Sequence, residues 1–215
     1  MVHNLSNQPS LFSRFLSEIR DLEIQKDPIR FRKNMERMSE IMAYEISKTL
    51  NYTKREVTTP LGIAEVDELI EQPVLATILR AGLAMHNGML NYFDRAESAF
   101  VSAYRKHTSH EDFEIHVEYL ASPKLDKRIV IISDPMLATG NSMVMVYKAL
   151  LRQGTPSKII IASAIATPDA LEFVKRHLPE TTEFWVGAID KELTAQSYIV
   201  PGLGDAGDLA YGEKC

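Results

Sequence analysis

Ile129-Val130-Ile131-Ile132-Ser133-Asp134-Pro135-Met136-Leu137-Ala138-Thr139-Gly140-Asn141-Ser142 reads as a buried strand that passes through a loop of small residues into a helix. Working outward, the same grammar recurs on both sides. Upstream, Val74–Leu79 and Ala99–Tyr104 are strand-length apolar runs separated by a helical pattern over Leu83–Tyr92. Downstream, Arg128–Ser133 precedes a helix over Ser142–Gln153, Lys158–Ile165 precedes one over Pro168–His177, and Glu183–Ile189 is a further strand. Continuous Val/Ile runs alternating with helices predict an α/β fold, a mostly parallel sheet flanked by helices on both faces.

Before this region, Asp27-Pro28 predicts an N-cap with proline in the first helical turn. It opens a long helix over Ile29, Met35, Met38, Ile41, Met42 and Ile46 that runs to about Leu50. At that spacing the methionines fit core packing or a subunit contact. Lys26, Arg30, Arg32, Lys33 and Arg37 interleave with Asp27 and Glu36 and read as a solvated face. Glu56–Glu65, turning at Pro60-Leu61-Gly62, reads as a hairpin, and the polar stretch Arg105–Glu114 as a second, mobile hairpin projecting from the sheet. Ala195–Gly212, rich in glycine and aspartate, is expected to be mostly loop.

The 215 residues, 45% of them hydrophobic, suffice to bury one large core, so a single unit over 1–215 is expected. The formal charge of -5 is interspersed, which points away from nucleic acid and from an anionic membrane as partners. Cys215 is the only cysteine, so no intrachain disulfide forms and a cytoplasmic setting is expected. The stretch around Leu11, Phe12, Phe15, Leu16 and Ile19 is broken by charges and resembles no leader, and no run reaches the length of a membrane span.

In an open α/β sheet, ligands bind beyond the carboxyl ends of the strands, and the opening stretch ends at such a place. Thr139, Gly140, Asn141 and Ser142 offer backbone N–H groups, hydroxyls and an amide at a helix N-terminus, which suits a 5'-phosphate. Asp134 is placed to accept hydrogen bonds from a vicinal diol, as a ribose presents beside its phosphate. The residues alone also fit a plain strand end with Thr139 or Ser142 capping the next helix. The stretch is neither a Walker A loop nor a dinucleotide fingerprint. A second conspicuous segment, Tyr198-Ile199-Val200-Pro201-Gly202-Leu203-Gly204-Asp205-Ala206-Gly207-Asp208, fits a surface loop on composition. It lacks the alternating acids of a calcium loop.

Asp134–Ser142 resembles the signature that binds phosphoribosyl pyrophosphate (PRPP) in type I phosphoribosyltransferases. Its Asp-Pro-Met-Leu-Ala-Thr-Gly form, with Ser133 in place of a second acid, looks like the uracil-specific branch, and Tyr198–Asp208 resembles that branch's uracil segment. The resemblance spans nearly the whole chain, Thr59-Pro60-Leu61-Gly62 included. It implies transfer of the 5-phosphoribosyl group from PRPP to N1 of uracil, giving UMP and pyrophosphate, a step of pyrimidine salvage, with Mg2+ held mainly by PRPP and with homodimers or larger assemblies.

It assigns Arg80, Arg105, Asp134, Pro135, Met136, Leu137, Ala138, Thr139, Gly140, Asn141, Ser142 and Asp205 to PRPP. It assigns Tyr198, Ile199, Gly204, Asp205 and Ala206 to uracil, and catalytic roles to Asp205 and Arg105. The implied layout is N-terminal helices over about 9–50, a PRPP-binding core over about 73–190 and a uracil loop over about 195–212. Taken alone, Arg80 and Arg105 read as solvated strand-end residues.

Three departures stand out. Asn141 replaces the usual glycine, a tolerable change because asparagine reaches the left-handed backbone. Lys106-His107 replaces a frequent acidic pair, and Leu209 a common arginine. His107 and His110 have no further candidate ligand beside them, which argues against a metal site. Two rivals remain: a phosphoribosyltransferase for another base, and a uracil- or UMP-sensing RNA-binding regulator, against which the acidic balance speaks.

Overall fold

The computed structural model describes residues 1–107 and 113–213, with the backbone alone over 103–107 and 113–117. The tip of the second expected hairpin, 108–112 with His110, and Cys215 lie outside the described residues. Strand β1 (Val2–Asn4) is followed by helices α1 (Leu11–Arg20) and α2 (Pro28–Ser47), then by the antiparallel hairpin of β2 (Tyr52–Thr59) and β3 (Gly62–Leu69). The α/β region comprises β4 (Val74–Leu79), α3 (Leu83–Leu90), β5 (Glu97–His107), β6 (Phe113–Ala121), β7 (Ile129–Ser133), β8 (Met136–Leu137), α4 (Asn141–Leu150), β9 (Lys158–Ala166), α5 (Pro168–His177) and β10 (Glu183–Ile189). β11 (Glu192–Leu193), β12 (Ile199–Val200) and α6 (Ala206–Tyr211) follow.

The main sheet runs β1-β10-β9-β7-β4-β5-β6, with β8 beside β9. Its pairs are parallel except β5–β6. The apolar strands are continuous because both faces are covered: Ile129 and Ile131 enter the core under α1, α2 and α3, while Val130 and Ile132 enter the core under α4 and α5. Met35, Met38 and Met42 are 0–1% exposed, so the methionine stripe is core and not a subunit contact.

Asp27 caps α2 as expected, accepting from the N–H groups of Ile29 (3.0 Å) and Arg30 (3.3 Å). The helix ends at Ser47, short of the expected Leu50, because the last bonds tighten to three-residue spacing, Thr49 to Ile46 and Leu50 to Ser47. Three further details go beyond the sequence reading. The first hairpin is longer than Glu56–Glu65, its arms paired from Tyr52↔Leu69 to Thr59↔Gly62. β1 was not anticipated, since three residues at a sheet edge carry no periodic signal. The region 195–212 is for its larger part loop, as expected, but it also holds β12 and the capped helix α6.

The order of strands places the site. From β4 the chain moves through α3 to β5 on one side, while from β7 it moves through α4 to β9 on the other. The direction of winding therefore reverses between β4 and β7, and a crevice opens at their carboxyl ends.

Candidate active site

That crevice is a cavity of about 840 Å3. Arg80 and Ala81 border it from the end of β4, Asp134 from the end of β7, and Thr139, Gly140 and Ser142 from the start of α4. The opposite wall is the tip of the β11–β12 hairpin, Gln196 to Ile199, with Asp205 and Gly207 beyond it.

Residues Asp134–Ala138 are less loop-like than the sequence suggests. Asp134 N–H donates to Ala162 O (3.1 Å), and Pro135 O and Leu137 O accept from Ile165 N–H and Thr167 N–H (both 3.0 Å). Thr167 Oγ1 then donates to Ala138 O at 2.7 Å. The segment is thus stapled to β9 as β8, and only Thr139–Ser142 turns into the helix.

Gly140 is the N-cap of α4 at φ +80, and no side chain caps that terminus. A Cβ there would approach Val174 Cγ2 to 2.7 Å, so both backbone and packing require glycine. Thr139 Oγ1 reaches Asn141 N–H only at 3.4 Å, which makes the plain capping-turn reading weak. The first turn of α4 thus borders the cavity without a side-chain cap, an arrangement in which helix N-terminal amides can receive an anion.

Asp134 is half-buried at the cavity floor, and the apolar surroundings push its carboxyl up to about 7, partly opposed by the N–H of Met136. Such a carboxyl is ionised at little cost only when new donors reach it. Across the strand end, Gly82 packs so tightly that a Cβ would run into Thr77 Oγ1 and come within 3.0 Å of Ser133 O. This close approach holds the Arg80 turn against the strand that carries Asp134.

Arg80 donates through Nη2 to Asp208 Oδ1 (3.0 Å) and through Nη1 to Gly212 O (3.1 Å), while its Nε is buried without a partner. Asp205 Oδ1 accepts from Gly207 N–H (2.8 Å) and Asp208 N–H (3.0 Å), so it caps α6 as well as bordering the cavity. Tyr198 is half-exposed at the hairpin tip; Ile199 is nearly buried, one side in the core and the other on the cavity.

Of the residues singled out in the sequence, Arg80, Asp134, Met136, Leu137, Ala138, Thr139, Gly140, Ser142, Tyr198, Ile199 and Asp205 line this one cavity. Pro135, Asn141, Gly204 and Ala206 belong to the same segments but are not among its lining residues; Ala206 is fully buried in the core. The backbone of Arg105 lies on β5, paired with Ile115, three residues beyond Ser102, which lines the cavity. Ser102, Gln196, Ser197 and Glu213 border it without having been anticipated. Ser102 carries no signal inside an apolar strand, whereas Ser197, at φ +64, sits in a turn that the polar run Thr194–Ser197 could have flagged.

A family model described as Uracil phosphoribosyltransferase matches residues 6–213. A curated "Uracil phosphoribosyltransferase" from Porphyromonas gingivalis is 56% identical over 213 residues, 99% of each chain. A solved structure of a protein from Aquifex aeolicus superposes with a TM-score of 0.86 at 31% identity, covering 99% of this chain and 98% of that one. A hypoxanthine phosphoribosyltransferase from Staphylococcus aureus, at 13% identity and a TM-score of 0.50 over 75% of this chain and 76% of that one, shares the sheet architecture. Likeness that runs nearly end to end, over a crevice carrying both diagnostic segments, leaves one assignment: the chain belongs to the uracil phosphoribosyltransferase family.

Proposed function

We propose that the crevice between β4 and β7 joins uracil to the ribose of PRPP, giving UMP and pyrophosphate, and that the residues bordering it divide the work as follows. The 5'-phosphate sits on the N–H groups and hydroxyls of Thr139–Ser142, where the α4 dipole favours a dianion. Asp134 accepts from the ribose hydroxyls, donors that favour its ionised form. Arg80 and Arg105 bind pyrophosphate, a task for planar, permanently charged forks. The ion pair of Arg80 with Asp208 is about a third exposed and therefore weak enough to be exchanged for phosphate oxygens.

The base rests against the β11–β12 tip and the loop over Ile199–Ala206. Uracil presents acceptor, donor, acceptor along O4, N3 and O2, which main-chain groups of such a loop can meet. Cytosine reverses that pattern at positions 4 and 3 and would leave buried polar groups unpaired, and its rejection follows. The transition state is loose, with positive charge at the anomeric carbon, so positioning and leaving-group stabilisation matter more than a strong base. Asp205, between the base and PRPP, orients both.

The wall of the cavity is rich in hard oxygen donors, the carboxylates of Asp134 and Asp205 and the hydroxyls of Ser102, Thr139 and Ser142. This set suits Mg2+ held mainly by PRPP itself, since the ion takes at most one or two carboxylates beside substrate phosphates, and Asp134 and Asp205 are carboxylates of the wall that would meet it. When bound, the ion supplies charge neutralisation to the departing pyrophosphate. The assembly is a homodimer or larger, and the cytoplasm is its compartment. The apolar exposure of the β2–β3 hairpin, with Leu61 fully exposed and Ile63 72% exposed, supports a contact with a second copy.

One observation carries this reading: Asp134, the uncapped start of α4 and the Tyr198–Asp205 segment face a single cavity. The test is formation of UMP and pyrophosphate from PRPP, Mg2+ and uracil beside cytosine, hypoxanthine, adenine and orotate. Turnover with uracil alone is expected. Turnover with another base would overturn the assignment of the C-terminal loop, and turnover with none would overturn the activity.

A further inference from the structure

The loop that meets the base belongs to no large sheet. Between Asp190 and the start of α6, only the two-residue strands β11 and β12 pair, at Glu192↔Val200 and Leu193↔Ile199. A loop that discriminates bases by main-chain groups must hold those groups to a fraction of an ångström, and so short a ladder does not do that alone. The missing rigidity comes from the other end of the chain.

Arg20, in the last turn of α1, forms a two-pronged pair with Asp190: Nη1 to Oδ2 at 2.8 Å and Nη2 to Oδ1 at 2.9 Å. The same Nη1 donates to Gly202 O (3.1 Å), and Asp190 Oδ2 accepts from Gly202 N–H (3.1 Å). One ion pair therefore grips both the amide and the carbonyl of Gly202. That residue is held at φ +58, and a Cβ on it would collide with Ile199 O. Asp190 is itself tied to the main sheet through its N–H to Ala166 O at 2.9 Å. Beside it, the Gln25 amide faces Leu203 O at 2.8 Å and Ile19 O at 3.1 Å, two acceptors that assign its nitrogen to this side as the donor. Asp190 and Arg20 are mostly buried, at 8% and 21% side-chain exposure, so their geometry is shielded from solvent.

We infer that Arg20 and Asp190, assisted by Gln25, are positioning residues for the uracil subsite, clamping Gly202 and Leu203 between α1 and the sheet so that the following Gly204–Ala206 segment stands at a fixed distance from Ile199. None of the three touches the cavity. Their effect passes through the loop backbone alone, and it is selective. Apart from Asp205, the residues assigned to PRPP stand on β4, β5, β7, β8 and the start of α4, outside the clamped loop, so loosening the clamp weakens uracil far more than PRPP. This rests on the reading of the loop as the uracil site.

The test is steady-state kinetics with each substrate varied in turn, on Arg20→Lys, Asp190→Asn and Gln25→Ala. Lysine keeps the charge but is a point donor that cannot serve Asp190 from two sides and Gly202 O at once. Arg20→Lys and Asp190→Asn are expected to raise the uracil KM about tenfold or more, with the PRPP KM within twofold. Gln25→Ala, at a partly exposed position that tolerates truncation, is expected to shift it in the same direction by a smaller factor. Amide exchange in Gly202–Ala206 should quicken in all three while β7 and β9 stay protected. Equal rises in both KM values, or an unchanged uracil KM in folded variants, would overturn the clamp.

Gly204→Ala separates the two levels of the argument. It strains the loop backbone at φ +90 in open space, with Leu209 Cδ1 no nearer than 3.8 Å. If Gly204→Ala raises the uracil KM and Arg20→Lys does not, the clamp fails and the loop assignment stands. If neither moves it, the loop assignment itself fails.

Discussion

Asp134 is held where it costs the fold stability. Burial lifts its carboxyl from the ordinary 3.8 to about 7, so across that window the folded chain keeps a proton that the unfolded chain has lost. Stability from this group is intact below pH 4, falls as pH rises and reaches its full deficit above pH 7, on the order of 4 kcal/mol at most. Asp134→Asn removes the titration. It is expected to raise the melting temperature at pH 8 by roughly 3–10 °C, to leave it nearly unchanged at pH 4, and to cut turnover about a hundredfold or more. Thermal melts at the two pH values, read beside turnover, check this; equal melting temperatures for wild type and variant at pH 8 would remove the cost from Asp134. At this scale the sequence was informative wherever a motif states its own chemistry, as with Asp134, Thr139 and Asp205. It was silent on Arg20 and Asp190, because an ion pair joining residues so far apart in the chain leaves no local pattern.

The junction of β8 and α4 is a stapled turn with one conformational weak point. Gly140 supplies the positive φ and the space beside Val174 that no other residue can. Gly140→Ala is expected to leave the sheet intact while displacing the first-turn amides of α4. The PRPP KM should rise about tenfold or more and the uracil KM little, a split that initial-rate kinetics reads directly. Unchanged PRPP kinetics would take the phosphate away from α4. Among the elements, those with a long apolar period or a cap were legible in advance, such as α2 behind Asp27-Pro28 and the buried strands β4, β7 and β9. Two-residue strands are fixed by hydrogen-bond partners outside their own stretch. β8 exists because Pro135 and Leu137 meet Ile165 and Thr167, and β12 because Ile199 meets Leu193. α6 was missed for a different reason: its glycine and aspartate look like loop until Asp205 is seen capping it.

For the molecule as a whole, the α/β class followed from the alternation of strands and helices, whereas the strand order, and with it the reversal of winding that opens the crevice, is seen only in the folded sheet. Such alternation also does not reveal which surface would serve the proposed contact with a second copy. The β2–β3 hairpin is exposed along nearly all its length and carries Val57, Leu61, Ile63 and Val66 outward. Charging it with Leu61→Asp and Ile63→Asp together is expected to lower the mass measured by sedimentation to that of one chain of 24.2 kDa, with α/β content unchanged by circular dichroism. An unaltered mass would exclude the hairpin as the contact.

The pairing of β1 with β10, and the layer of α1 and α2 beneath them, has a bearing on how the protein is made. Phe12, Phe31, Met35 and Met42 leave the ribosome early, yet Ile160, Ala162 and Trp185, which complete their core, are among the later residues synthesised. A growing chain must therefore carry an uncovered greasy surface through most of its translation, an invitation to chaperones and to aggregation if synthesis pauses. Stalled chains of graded length should resist protease only after Ile189 has cleared the exit tunnel.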